Sequence, residues 1–144
     1  MVTRKNIIEK AREYLNTPFV HQARKKGIGV DCIGLIVGIA KELELFNYDH
    51  TVYKRYSDGT LLMEHMKKVF IPIAVEDRQP GDVIIYWVNH ISKHPQHVGV
   101  MTDIGILHTY DKVKKVVETH THYNWDERIT HAFQWPGVSE TWQQ

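Results

Sequence analysis

The chain has 144 residues, 42% hydrophobic and 24% charged, with a formal net charge of +1. That length suits one domain with a modest core, and so small a charge gives no electrostatic case for nucleic acid or an anionic membrane surface. The single cysteine, Cys32, excludes an intramolecular disulfide framework, and no apolar stretch approaches the roughly 20 residues of a membrane span.

The first residues, Met1 to Asn6, lead into an amphipathic segment and not into a signal-peptide apolar region, so synthesis in the cytoplasm is expected. Ile7, Ile8, Ala11 and Leu15 recur at helical spacing, which predicts a helix from Thr3, its N-cap, to Asn16, ended by Thr17-Pro18. Phe19 to Val30 is a glycine-containing loop that runs directly into Asp31-Cys32 and should wall any site there. Its basic run, Arg24-Lys25-Lys26, reads as solvated charge, as does Lys112 to Lys115. Asp31 is a good N-cap for a second helix, Cys32 to about Leu45. Residues 46–57, with Phe46, Tyr48, Tyr53 and Tyr56, look irregular, and Asp58 or Thr60 opens a third helix to about Phe70.

The texture then turns to strands. Ile71 to Val75 is a short extended piece that Pro72 confines to an edge. After the Gln79-Pro80-Gly81-Asp82 turn, Val83 to Val88, His97 to Thr102, Ile106 to Tyr110, Lys115 to Thr119 and Ile129 to Trp135 read as strands. A polar loop fills 89–96, and a turn fills Thr121 to Trp125. Helices first and strands second give an α+β domain, residues 1–144, with a small antiparallel sheet and helices on one face.

Cys32 is the natural centre of a functional reading. A helix N-terminus favours thiolate over thiol, so a helix-opening cysteine is a candidate nucleophile; the alternative is a buried structural cysteine. The Asp31 carboxylate works against a low thiol pKa unless it turns away to cap. A catalytic thiol needs a base and a group to orient it. His97 is the candidate base and His108 the candidate orienting group. If Thr102 to Gly105 is a four-residue hairpin loop with Gly105 left-handed, Met101 faces Ile106 and Val100 faces Leu107. His97 and His108 then share one sheet face as diagonal neighbours, and Gly99 leaves room for the His108 ring; a three-residue loop would put them on opposite faces. The alternative is that both are ordinary half-exposed strand residues. A rival arrangement makes His90, His94 and His97, with His120 and His122, a metal site, but Pro95 and its polar neighbours deny helical ligand spacing. No metal or cofactor is expected.

Asp31-Cys32-Ile33-Gly34-Leu35, His97-Val98-Gly99-Val100 and the later His108 resemble the motifs of the NlpC/P60 cysteine peptidases. So do Pro80-Gly81-Asp82-Val83 and Tyr14 to Phe19, in the same order along nearly the whole chain. Thr17-Pro18-Phe19-Val20-His21-Gln22-Ala23-Arg24 is similar to a stretch in the phage-encoded branch. The resemblance implies a papain-like core and a Cys32-His97-His108 triad that hydrolyses peptidoglycan stem peptides, often after γ-D-glutamate. Phe19 departs from the pattern. Many members have a tyrosine whose hydroxyl is thought to help at the oxyanion, and phenylalanine donates no hydrogen bond. Gln22 or His21, with the Cys32 N–H, are the candidate replacements. Two further readings are a non-catalytic phage-tail module that keeps the fold, and a Cys–His amidase or acyltransferase. A wall substrate and a chain without a signal peptide are reconciled if a phage particle carries the protein, with tail-tip partners docking on residues 46–56 or on Trp135 to Trp142. The basic residues Arg24 to Lys26 are also candidates to meet substrate carboxylates.

Overall fold

The computed structural model describes residues 1–55, 57–120, 125–138 and 141–143. Helix α1 is Arg4–Arg12, capped by a reciprocal pair in which the Asn6 N–H donates to Thr3 Oγ1 and the Thr3 N–H to the Asn6 side chain. It is shorter than the apolar spacing predicts, because Glu13 to Asn16 tighten into turns and Asn16 adopts φ +70°. The segment 16–19 then leaves the helix direction and hydrogen-bonds alongside 114–116. The loop before Cys32 contains a minimal hairpin, β1 (Arg24–Lys25) against β2 (Gly29–Val30). Helix α2 is Cys32–Glu42 and α3 is Thr60–Val69. The Thr60 N–H donates to Asp58 Oδ1, while the N-cap position itself is Gly59 at φ +92°.

Strands β3 (Ile71–Ile73), β4 (Val83–Tyr86), β5 (His97–Met101), β6 (Gly105–His108), β7 (Val117–His120) and β8 (Ile129–Gln134) form one antiparallel six-stranded sheet in the order β3-β8-β4-β5-β6-β7. Pro72 lies in the edge strand, as its missing N–H requires. A short helix, α4 (Trp125–Arg128), precedes β8; the sequence pattern gave no sign of it. The expected turn at 121–124, Tyr56, and Ser139-Glu140 of the C-terminal patch fall outside the described residues.

The strand alternation sorts side chains onto two faces. Val83, Ile85, Val98, Val100, Leu107 and Phe133 pack against Ile7, Ala11, Leu35, Ile39 and Met66 of the helices. Ile84, Tyr86, Ile106, Ile129 and Ala132 form a second cluster, with Trp125 beside it. The β5–β6 register is Val100↔Leu107 and Met101↔Ile106, as the four-residue loop requires. Gly105 is not left-handed, however; it sits in β6, where a Cβ would lie 1.9 Å from the Thr119 carbonyl oxygen. The loop is closed by Thr102, whose Oγ1 accepts from the N–H groups of Ile104 and Gly105.

An ion pair pins the sheet to α1. Arg4 Nη1 lies 2.6 Å from Asp82 Oδ1, with the two side chains 3% and 1% exposed. The Gly81 that precedes Asp82 has φ +95° and its Cα packs on Arg4, where a Cβ would come within 2.7 Å of Arg4 Cβ.

Candidate active site

Asp31 caps α2 through the Gly34 N–H, 2.8 Å from Oδ1, so Cys32 opens the helix as expected. The carboxylate also accepts from Arg24 Nη1 at 3.0 Å, from the Gln22 N–H at 2.8 Å and from the Tyr53 hydroxyl. Arg24 is therefore not solvated charge; it is partly buried and also holds Asp49 and the Tyr53 hydroxyl. Lys26 is committed to Glu13 and Glu42. Neither Arg24 nor Lys26 is left open to a substrate carboxylate.

The Cys32 sulfur is surrounded by the main-chain N–H groups of Val98, Ile33 and Cys32 itself, all of which favour thiolate. Desolvation and then the negative charge of Asp31 outweigh them and push the thiol up to about 12. Capping by Asp31 does not remove its effect on Cys32. The residue is half-buried and opens onto a cavity of about 940 Å³.

His97 lines the same cavity, on the strand residue next to Val98. Burial pulls its imidazole down to about 4, partly offset by Asp111, so the ring is neutral at neutral pH and able to accept a proton. Its Nε2 is buried without a hydrogen-bond partner. His108 shares that sheet face but makes no hydrogen bond with His97. Its Nδ1 meets the Tyr86 hydroxyl at 2.6 Å and its Nε2 meets Thr119 Oγ1 at 2.9 Å. Gly99 leaves the room expected of it, since a Cβ there would stand 3.1 Å from His108 Cβ. Burial and repulsion from His97 pull His108 down to about 4.

His21 and Gln22 both line the cavity. Gln22 takes φ +63° and its side-chain amide donates to the Tyr53 carbonyl at 2.9 Å; His21 meets the Tyr53 ring edge-on at 5.5 Å. Phe19 lies under the Arg55 guanidinium, 5.5 Å from its ring centroid. Residues that sequence reasoning passed over are Tyr53, Tyr86, Tyr110 and Asp111. Tyr53 was visible only as one aromatic of an irregular stretch, and that stretch, 46–55, forms a wall of the cavity. Phe46 packs on Phe70 and Trp135, Tyr48 bonds His65, and Trp135 is 2% exposed. These aromatics are core and cavity wall, not a docking patch. Of the rival metal set, His90 contacts Arg128 and the Trp87 ring, and His94 is exposed in its loop. Among the described residues no three His, Cys, Asp or Glu side chains come together to hold a metal ion, and no helix is long and apolar enough to cross a membrane; His122 lies outside them.

No family model matches the sequence, and no curated protein matches it. Solved structures do match. The NlpC/P60 domain of the peptidoglycan hydrolase SagA superposes with a TM-score of 0.63 at 18% identity, covering 92% of this chain and 99% of that one. An NlpC/P60 family protein from Bacillus cereus gives 0.64 at 18% identity, over 92% of this chain and 40% of its own length. The peptidoglycan hydrolase RipB from Mycobacterium tuberculosis gives 0.58 at 17% identity, over 91% and 63%. The chain thus spans about two fifths of the length of the Bacillus cereus protein and nearly all of the SagA domain. Matched over nearly its whole length, the chain has the NlpC/P60 fold.

Proposed function

We propose that this protein is a cysteine peptidase that hydrolyses amide bonds in peptidoglycan stem peptides, next to a γ-D-glutamyl residue. The observation that carries the reading is the placement of Cys32 at the start of α2, with main-chain N–H groups around its sulfur, in one cavity with the neutral imidazole of His97. The structures it resembles include two peptidoglycan hydrolases.

His97 accepts the thiol proton as Cys32 attacks the scissile carbonyl, and the C–S bond forms as the carbonyl π pair moves to oxygen. The N–H of Cys32 at the helix start supports that oxyanion, and His21 and Gln22 line the same cavity. Collapse breaks the C–N bond, and His97 returns its proton to the leaving amine. Water, deprotonated by His97, then cleaves the thioester and regenerates the thiol. His108 orients His97. The thiol rests protonated in these surroundings, so its ionisation is coupled to arrival of the carbonyl.

That same upward push on the thiol favours a second reading, a non-catalytic module that keeps the fold. Purified sacculi digested with wild type and Cys32→Ala, followed by mass analysis of released fragments, separate the two. Stem-peptide cleavage by wild type alone supports the peptidase; no cleavage by either, with slow alkylation of Cys32 at neutral pH, supports the module. Fragments cut elsewhere identify an amidase. Carriage in a phage particle rests on the Thr17 to Arg24 resemblance, and proteomics of purified particles tests it.

A further inference from the structure

The Nε2 of His97 is buried without a hydrogen-bond partner, and the charge of Asp111 acts on the imidazole. Two aromatic rings pack against it. Tyr86 is its cross-strand partner in the β4–β5 ladder, and the rings stack with centroids 5.7 Å apart and planes at 28°. The Tyr110 ring also meets it, with centroids 5.1 Å apart and planes at 56°. Tyr86 is wholly buried, and its hydroxyl meets His108 Nδ1 at 2.6 Å, while His108 Nε2 meets Thr119 Oγ1 at 2.9 Å. A hydrogen-bonded line from Thr119 through His108 to Tyr86 thus ends at the back of His97.

We propose that Tyr86 is the positioning residue of His97, and that His108 acts on His97 through Tyr86. The inference rests on the Cys32–His97 pairing proposed above. A tyrosine anchored at its hydroxyl and packed in the sheet interior presents a fixed ring plane, and offset stacking then fixes the imidazole. With Tyr86 donating to Nδ1, His108 keeps its Nε2–H for Thr119. When His97 takes the thiol proton, its positive charge lies over the electron-rich face of the phenol within cation–π range. The phenol face so supplies part of what a carboxylate would give an imidazolium, which a neutral histidine does poorly.

A double-mutant cycle tests this. Tyr86→Phe keeps the ring and breaks the link; His108→Ala removes the far partner; the double variant has neither. The readouts are the rate of Cys32 alkylation by iodoacetamide at neutral pH and, with stem peptide, kcat and KM separately. Each single variant should slow both reactions about two- to tenfold with KM unchanged, and the double should be no slower than the worse single. Losses that multiply in the double overturn the proposal. Tyr86→Leu, which removes the ring, should be slower still than Tyr86→Phe; equal rates would overturn the stacking role. Should these variants fold poorly by their melting temperatures, Thr119→Val loosens the line from its far end and should lower kcat alone; an unchanged kcat again overturns it. His97→Ala separates the levels. If it leaves alkylation unchanged, the Cys–His pairing itself fails and takes this inference with it; if it slows alkylation while the cycle is multiplicative, only this inference fails.

Discussion

The Gly34 N–H donates to Asp31 Oδ1 at 2.8 Å, and the other oxygen of that carboxylate holds the Gln22 N–H and the Tyr53 hydroxyl. One side chain therefore joins the start of α2 to both loops that wall the cavity. It also places a negative charge near the Cys32 sulfur, which raises the thiol. Asp31→Asn should lower the pH midpoint of Cys32 alkylation, because removing that charge favours thiolate, while weakening the bonds to Arg24 and Tyr53. Asp31→Ala should cost at least the ~1 kcal/mol of a lost N-cap in denaturant melts. An alkylation midpoint that stays put or rises in Asp31→Asn would contradict this electrostatic reading.

His97 and His108 should differ in kinetics. Removal of a general base costs about 10²-fold or more, so His97→Ala should nearly match Cys32→Ala in a muropeptide assay. His108→Ala should be milder, because it acts at one remove. Equal and small losses at both positions would mean that neither takes part in the chemistry. Thiol alkylation should abolish hydrolysis, and a chelator should leave it unchanged.

Arg4 and Asp82 should behave as a buried pair. Desolvation raises the Asp82 carboxyl against the pull of Arg4 and the Gln79 N–H. Truncating one partner strands the other in the interior, so Arg4→Ala should cost about 3–5 kcal/mol in urea unfolding. A loss below about 1 kcal/mol would mean water reaches the pair.

Stability should depend on pH through the neutral buried histidines. His97 and His108 are each pulled down to about 4 from an unfolded value near 6.5. Between those values the unfolded chain binds more protons, so stability is complete above about pH 6.5 and is lost as the pH falls toward 4. At about 1.4 kcal/mol per unit, the fully buried His108 accounts for up to about 3 kcal/mol. Urea melts from pH 7 to 4.5 should show this slope, and His108→Gln should flatten it; an unchanged slope in the variant would refute the assignment.

The sequence pattern carried the element order because period and capping are local. Asp31 before an apolar run announced α2, and Val100 opposite Leu107 followed from loop length alone. What stayed hidden was set by distant pairing. Tyr86 reads as one more apolar strand residue until the β4–β5 register places it against His97, and the irregular loop 89–96 hides that register. Tyr53 reaches Asp31 across 22 residues from a stretch with no periodicity at all. Arg24 looked like surface charge because its partners, Asp31 and Asp49, become neighbours only after folding.

Strand β8 enters the sheet between β3 and β4 and pairs with both. Residues 129–134 therefore fill a central slot that earlier residues leave open. During synthesis β4, which carries Tyr86, has an unpaired edge until those residues leave the ribosome. A nascent chain can form α2 and expose Cys32 well before the strand beneath its candidate base is held on both sides. The candidate site is thus completed only once the chain has been made through β8, and pairing at such long sequence separation slows that last step.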